Sequence, residues 1–345
     1  MSIAAVAQRA GVSPATVSRA FNAPQTVAPA TRARIEAAAQ FLAYTPNASA
    51  QTLRTRRTRS LGVLLPTLLN PVFAEYLSGV ADAASSAGYS IVPVATDYVE
   101  ARESDALVKL IARDVDGLLL TVANAQQSAL LARLRRSGLP YVLTYNRHPE
   151  HPCVCVDGET AMRQLVSLAH AAGHRRIAMV SGQRNASDRA QQRHQGYLTA
   201  MHEFGLAPRL IEVPFMEALP SALTQPLGKA DRPTALLCSN DLLAIRSLRA
   251  AAMAQLRVPE DVAVIGFDGI ALGQELVTTL TTVAQPNRDI GLRGVQWLID
   301  ALSRHELPRP AHSITLPHQV RPGESFPLPH PMPSTPFPCH AESPL

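Results

Sequence analysis

The stretch from residue 60 to residue 326 alternates short apolar runs with longer segments in which apolar residues recur at helical spacing. Regular alternation of strands and helices is typical of parallel α/β sheets covered by helices on both faces. The stretch is long enough for two such units. The pattern predicts strands at 61–65, 90–95, 117–121, 141–144, 176–180, 235–238 and 262–267, and helices at 71–87, 103–111, 126–137, 159–172, 190–204, 241–256 and 287–302.

Charge is distributed unevenly along the chain. Residues 1–60 contain eight arginines and one acidic residue, Glu36, which gives this segment a formal charge of +7, whereas the whole chain carries +5. The remaining 285 residues therefore carry −2. A basic segment joined to a nearly neutral body is typical of a protein that binds phosphate groups with one end. A solvated basic face and binding to anionic lipids remain alternatives.

The basic segment contains the pattern of a helix-turn-helix. Ser2 is predicted to cap a helix over 3–10, and Ser13 to cap a second helix that follows it. Gly11 supplies the tight turn between the two. In such a motif the first residues of the second helix contact base edges in the major groove. A third helix is predicted over 29–42.

Two runs of the sequence carry a resemblance to a known family. They are VAQRAGVSPATVSRAFN and VAPATRARIEAAAQFLAYTPNASAQTLRTRRTRSLGVLLP. Together they resemble the DNA-binding head and hinge of the LacI/GalR family of bacterial transcriptional regulators. The spacings AGVS-x-x-TVSR, TR-x-R and Y-x-PN are specific to it, and the resemblance continues to about residue 326. It implies a ligand-responsive, sequence-specific DNA-binding regulator, most often a repressor.

The resemblance also implies the domain organisation. An all-α helix-turn-helix head is followed by an α/β effector domain of the periplasmic-binding-protein type I fold, which has two Rossmann-like lobes with a ligand cleft between them. The head is 1–46, the hinge helix and linker 47–59, and the effector-binding and dimerisation domain 60–326. Its first lobe, the one nearer the DNA in the family, is 60–157 with 287–310, its second lobe is 158–286 with 311–326, and the proline-rich segment 327–345 is predicted to be a disordered tail.

DNA contacts are implied for positions of the head and hinge that match the family. Small apolar Pro14 and Ala15 suit a contact with a thymine methyl group, and Arg19 suits a guanine or a phosphate. Leu53 matches a leucine that wedges into a central minor-groove step. The predicted DNA-binding residues are Ile3, Ala4, Ser13, Pro14, Ala15, Thr16, Ser18, Arg19, Asn22, Thr31, Asn47, Leu53 and Arg54, whereas Val6, Ala7 and Val17 are predicted to be core.

The third helix departs from the family at its first turn. The family usually begins this helix with a capping serine, whereas this chain has Ala28. The loss of such a cap costs about 1 kcal/mol, part of which Pro29 at the next position can offset. The departure weakens the case for a phosphate contact at that position.

Effector contacts are predicted at the carboxyl ends of strands, where ligands gather in open α/β sheets. The family places its effector residues at the same points, with an arginine three residues before a glycine and a G-[YF]-D sequence. The predicted effector-binding residues are Asn70, Phe73, Asn146, Arg193, Asn240, Asp241 and Asp268. After the strand at 141–144, either Tyr145 or Asn146 fills the family position. An acid-poor rim with Arg184, Arg189 and Arg193 nearby favours an anionic or weakly acidic effector over a neutral sugar, with solvation of the helix as the alternative role of several of these arginines.

The predicted partners are a double-stranded DNA operator, a second copy of the chain in a homodimer, and a small-molecule effector (a sugar, a nucleobase or a small acid). No cofactor, metal or membrane partner is predicted. A membrane-spanning helix is not expected because no apolar run approaches the roughly 18 residues that such a helix needs. The first residues lack the basic and apolar regions of a secretory signal, and the sequence has only four cysteines. Both observations favour the cytoplasm.

Two other functions fit an α/β body. A solute-binding protein of a transport system is the first, but the basic head and the missing signal sequence disfavour it. An enzyme is the second, but the sequence contains no phosphate-binding glycine loop, G-x-S-x-G elbow or H-E-x-x-H helix. The histidines and cysteines between His148 and Cys155 are spaced like metal ligands, yet a loop leading into a strand is the favoured interpretation.

Overall fold

The computed structural model describes residues 2–44, 57–214 and 221–328, without the side chains of Asn22 and Ser221. The chain forms two compact units, Met1–Thr58 and Arg59–Leu345. Most of the predicted hinge, 47–59, lies outside the described residues, and so does the proline-rich segment from residue 329 onward. No helix within the described ranges is long and apolar enough to cross a membrane.

The first unit contains three short helices, α1 (Ile3–Ala10), α2 (Pro14–Asn22) and α3 (Pro29–Phe41). The Ser2 and Ser13 hydroxyls accept hydrogen bonds from backbone amides of the first turns of α1 and α2, at 3.3 and 3.2 Å. Gly11 adopts φ 62 between them, as a tight left-handed turn requires. The head core consists of Val6, Ala7, Ala10, Val17, Ala20, Ile35, Ala38 and Ala39.

The predicted absence of a polar N-cap on α3 is confirmed. Ala28 occupies the cap position and makes no side-chain hydrogen bond to the first turn, and Pro29 is the first helical residue. Ile35 and the alanines on its face anchor this helix in the head core. Packing therefore stabilises the helix in place of a polar cap.

The second unit contains two six-stranded sheets. Its strands are β1 (Ser60–Leu65), β2 (Ser90–Ala95), β3 (Gly117–Leu120), β4 (Tyr141–Thr144), β5 (Cys153–Val156), β6 (Ile177–Ser181), β7 (Arg209–Glu212), β8 (Ala235–Cys238), β9 (Ala263–Asp268), β10 (Thr281–Ala284), β11 (Ile314–Leu316) and β12 (Gln319–Arg321). Its helices are α4 (Pro71–Ser86), α5 (Glu100–Ile111), α6 (Ala129–Ser137), α7 (Gly158–Ala171), α8 (Asp188–Glu203), α9 (Ser221–Leu227), α10 (Asp241–Met253) and α11 (Asn287–Arg304).

The two sheets define a first and a second lobe. The first sheet has the order β11-β5-β4-β3-β1-β2 and is parallel throughout. The second has the order β12-β10-β9-β8-β6-β7, and only β12 runs antiparallel to its neighbour. Apolar clusters cover both faces of each sheet. The central strands are accordingly buried on both sides, as their continuous apolar runs indicate.

The predicted boundary between the lobes at residue 310 is wrong. β11 lies within the segment assigned to the second lobe, 311–326, yet it pairs with β5 of the first sheet, with Ile314 opposite Val154. The chain follows the edge of the first sheet after α11 and crosses to the second only before β12, which pairs with β10. The three-residue strand completes the pairing of β5, whose other edge bonds to β4.

Helices α4 and α11 pack closely in the first lobe, and two glycines make this approach possible. A Cβ atom at Gly79 would overlap the backbone oxygen of Arg288, and one at Gly291 would lie 2.5 Å from the backbone oxygen of Tyr76. We expect Gly79→Ala to push the helices apart and to lower the free energy of unfolding by about 1–3 kcal/mol, measured by urea denaturation. Gly228→Ala is the matched control, because its Cβ would meet only one atom, at 3.9 Å. Equal stability of the two variants would contradict the tight contact.

Candidate functional site

A cavity of about 310 Å³ lies between the two lobes at the carboxyl ends of the strands. This is the place where open α/β sheets bind ligands. The first lobe contributes Asn70, Val72, Phe73, Asp97, Tyr98, Val99 and Tyr145 to the wall. The second lobe and the segment after β10 contribute Gly182, Gln183, Ala186, Ser187, Arg189, Ala190, Arg193, Pro214, Ser239, Asn240, Asp268 and Gln285.

Most of the predicted effector residues line this cavity, namely Asn70, Phe73, Arg193, Asn240 and Asp268. Asn146 and Asp241 do not, because both side chains are completely buried behind the wall. At the end of β4 the wall position is taken by Tyr145, which has φ 67 and whose ring lies 5.7 Å from that of Phe73. Of the two residues, Tyr145 therefore lines the cavity and Asn146 does not.

Asp268 is the central acid of the cavity. Its carboxylate accepts hydrogen bonds from Asn70 Nδ2 at 3.4 Å and Gln285 Nε2 at 2.9 Å, and it lies 3.6 Å from Arg193 Nη2. Burial raises the pKa of Asp268 to about 6, although the charge of Arg193 opposes this shift. Its φ of 119 is unusual for a residue with a side chain, and backbone strain of this kind clusters at functional sites.

Asp241 supports the cavity from behind. Its carboxylate accepts hydrogen bonds from Thr282 Oγ1 at 2.6 Å and from the backbone amide of Ile270 at 2.8 Å. Burial, with a smaller contribution from the charge of Asp268, raises the pKa of Asp241 to about 8. Asp241 thus fixes the turn that follows β9, the strand that carries Asp268.

Two arginines of α8 reach the cavity. Arg193 Nη1 donates a hydrogen bond to the backbone oxygen of Ser239, and its guanidinium carbon lies 3.7 Å from the centre of the Phe267 ring. Arg189 Nη1 donates to the backbone oxygen of Val122 at 2.7 Å. Since Val122 belongs to the first lobe, Arg189 joins the two lobes at the edge of the cavity.

A second contact between the lobes lies beside Arg189 and is here named the Asp188 clasp. Both carboxylate oxygens of Asp188 accept from Asn146 Nδ2 at 2.9 Å, and one accepts from the backbone amide of Ala125 at 3.1 Å. The backbone amide of Asp188 donates to Ala123 at 2.8 Å. Asp188 is not among the residues predicted from the sequence, although it begins a helix that follows the carboxyl end of β6, where ligand sites gather in such sheets.

The acid Glu103 is buried behind the same loop. Its Oε1 accepts from the backbone amide of Ala123 at 2.6 Å, and only 2% of the residue is exposed. Burial raises the pKa of Glu103 to about 7, partly opposed by the Ala123 hydrogen bond. The folded protein therefore holds a proton here that the unfolded chain has already released, so this group makes stability fall as the pH rises from about 4.5 to 7.

Glu103→Gln keeps the acceptor oxygen and removes the titration. We expect wild type to lose on the order of 1–3 kcal/mol more unfolding free energy than this variant between pH 5 and pH 7.5. Urea denaturation at both pH values measures the difference. His151, His174 and His194, whose pKa values are lowered by partial or full burial, have the opposite effect on stability, and this effect is the same in both proteins and cancels in the comparison. Parallel profiles for the two proteins would contradict the assignment.

The predicted DNA-binding residues of the head lie on its accessible surface. Ala4, Ser13, Pro14, Ala15 and Arg19 are exposed, and Ile3, Thr16, Ser18 and Thr31 are half-buried. Val6, Ala7 and Val17 are buried in the head core, as predicted. Asn47, Leu53 and Arg54 lie outside the described residues, as does the side chain of Asn22.

Comparisons with known proteins bear on both units. The family model described as bacterial regulatory proteins, lacI family, matches residues 2–47, and one described as periplasmic binding protein-like domain matches residues 166–326. The HTH-type transcriptional repressor PurR of Photobacterium profundum is 33% identical over 302 residues, which are 86% of this chain and 90% of that protein. The chain belongs to the LacI family of bacterial regulatory proteins.

Further relatives of the LacI family support this membership. The HTH-type transcriptional repressor CytR of Escherichia coli is 33% identical over 304 residues, covering 86% of this chain and 88% of that one. The crystal structure of the Lac repressor dimer bound to operator and the anti-inducer ONPF superposes with a TM-score of 0.82 at 25% identity, over 94% of this chain and 98% of that chain. The predicted fold, a helix-turn-helix head with two α/β lobes, is confirmed. The chain is a DNA-binding transcriptional regulator with an effector domain, in a family of regulators rather than enzymes.

Proposed function

We propose that this protein is a cytosolic repressor that binds a pseudo-palindromic operator as a homodimer and changes its operator affinity when a small polar effector occupies the cavity. The observation that carries the proposal is the pairing of two features in one chain. One is a recognition helix with exposed Pro14, Ala15 and Arg19. The other is a cavity between two lobes with buried charged groups on its wall.

The clasp and the cavity suggest how an effector acts. Asp188 and Arg189 bond to the first lobe beside the cavity wall, so a ligand that favours one angle between the lobes also favours or disfavours these bonds. Coupling of this kind is typically worth about 1–3 kcal/mol and is reciprocal between effector and operator. The hinge segment with Asn47, Leu53 and Arg54 is the proposed connection to DNA.

Fluorescence anisotropy on a randomised pool of about 20-base-pair pseudo-palindromes with a central CG step tests the proposal, at two salt concentrations. We expect tight binding to a symmetric subset and a steep salt dependence on all other sequences. Leu53→Ala is expected to weaken binding to the symmetric subset more than binding to the other sequences, because an inserted leucine bends only the specific site. Weak binding that ignores sequence would contradict the repressor assignment.

A further inference from the structure

Arg59 is the first residue of the second unit, and hydrogen bonds hold its backbone from both sides. It lies directly before β1. Its backbone oxygen accepts a hydrogen bond from the amide of Ser90, the first residue of β2, at 2.8 Å. Its backbone amide donates to Oδ2 of Asp116, the residue directly before β3, at 3.0 Å. Since β2 and β3 are the two neighbours of β1, the chain is fixed at the point where it enters the sheet.

The backbone conformation of Arg59 is unusual for a residue with a side chain. Its φ is 50, which lies in the left-handed region that favours glycine. Residues keep such a conformation only where the surrounding structure imposes it, and they cluster at functional and switch regions. The Arg59 side chain is exposed, with its guanidinium carbon 5.9 Å from the centre of the Tyr89 ring. The two backbone hydrogen bonds, rather than burial, therefore hold this bend in the chain.

Asp116 is in turn attached to the sheet of the first lobe. Its backbone amide donates to the backbone oxygen of Ser60 at 2.8 Å, and the residue is half-buried. The next residue, Gly117, lies opposite Leu61 in the register of β1 and β3. The backbone of Asp116 thus moves with the sheet, while its carboxylate holds the amide of Arg59. Any motion of the first lobe is passed to the start of β1 through this bond.

We propose that Asp116 is a positioning residue for operator binding, which sets the direction in which the hinge segment leaves the first lobe. This inference rests on the proposed function, in which two heads of a homodimer bind a pseudo-palindrome. A segment whose direction is already fixed has less freedom to lose on binding, which raises affinity. The separation of half-sites is a geometric property of such a dimer. A loose junction therefore weakens binding to the correctly spaced operator and reduces discrimination against incorrect spacing.

Two substitutions of Asp116 separate positioning from charge. Asp116→Ala and Asp116→Asn remove the same negative charge, but only asparagine keeps an acceptor oxygen for the amide of Arg59. Loss of an acidic charge strengthens attraction to all DNA, so electrostatics alone predicts tighter binding by both variants. Positioning predicts weaker binding by Asp116→Ala, and only to the correctly spaced operator. The two explanations thus differ in the sign of the effect.

Fluorescence anisotropy of the full chain makes the test on three duplexes: the symmetric operator selected from the pool, the same operator with one base pair inserted at its centre, and a random duplex. We expect Asp116→Ala to raise the Kd for the operator at least about tenfold. Its Kd for the other two duplexes is expected to change by less than about threefold, as is every Kd of Asp116→Asn. Hydrogen exchange of the Arg59 amide, which reports the bond directly, is expected to be faster in Asp116→Ala than in wild type and Asp116→Asn.

Four results would overturn the inference. They are an unchanged operator Kd in Asp116→Ala, an equal loss on all three duplexes, an Asp116→Asn variant as weak as Asp116→Ala, and unchanged exchange of the Arg59 amide in Asp116→Ala. Urea denaturation shows whether the effector domain of each variant is folded. A wild-type protein that does not favour the symmetric operator would contradict the proposed function, and the inference would fall with it. A selective wild type with an equally selective Asp116→Ala variant would overturn the inference alone.

Discussion

Asn146→Ala is expected to lower the free energy of unfolding of the effector domain by about 3 kcal/mol. The side-chain amide makes four buried hydrogen bonds of 2.9 Å, two with the backbone of Val122 and two with the carboxylate of Asp188. Removing it leaves a buried amide and a buried carboxylate without these partners. Each unsatisfied group costs about 1–3 kcal/mol, and a charged group costs more.

Asn240→Ala is a matched control for this prediction. Its side chain accepts one hydrogen bond, from the backbone amide of Leu243 at 2.8 Å, and thereby caps α10. Loss of such a cap costs about 1 kcal/mol. Urea denaturation of both variants gives the comparison. If Asn146→Ala were no more destabilising than Asn240→Ala, the Asp188 clasp would contribute little to joining the lobes.

The sequence was sufficient to predict the class of fold and most strand and helix positions, because long periodic segments carry a strong signal. The edge strands β11 and β12 were exceptions, and so were β7, β10 and the short helix α9. β11 and β12 have three residues each and alternate apolar with polar residues, so no apolar run marks them. Their positions depend on pairing with β5 and β10, which are more than 30 residues away in the chain. This non-local dependence also explains the wrong lobe boundary.

The candidate site was predicted only in part, and the missing part also depends on geometry that the sequence pattern does not show. The carboxyl-end rule locates the loops of the cavity but not the direction of each side chain. After β4, the left-handed φ of Tyr145 places its ring at the cavity. The next residue, Asn146, instead donates a hydrogen bond to Asp188. At the start of α10, Asn240 lines the wall and the adjacent Asp241 is fully buried. Local backbone geometry, which periodicity does not reveal, makes both distinctions.

Arg19→Ala is expected to weaken binding to the specific operator by about 100-fold or more, with the head still folded. Arg19 is exposed on α2, and the only hydrogen bond of its side chain among the described residues is a long one of 3.5 Å, from Nε to the backbone oxygen of Ala15. The core positions of the same helix, Val17 and Ala20, are untouched by the change. A bidentate contact to a guanine is worth about 1–3 kcal/mol, and a dimer loses two of them.

Arg34→Ala separates loss of base recognition from loss of charge. Arg34 is also exposed and carries the same charge, but it lies on α3, outside the recognition helix. Its removal is expected to weaken binding to all DNA sequences alike and to reduce the salt dependence of that binding, as loss of a phosphate contact does. Footprinting and anisotropy on specific and random duplexes make the comparison. If Arg19→Ala weakened binding to both duplexes equally, Arg19 would contact phosphate. Recognition of the base sequence would then depend on Pro14, Ala15 and the hinge.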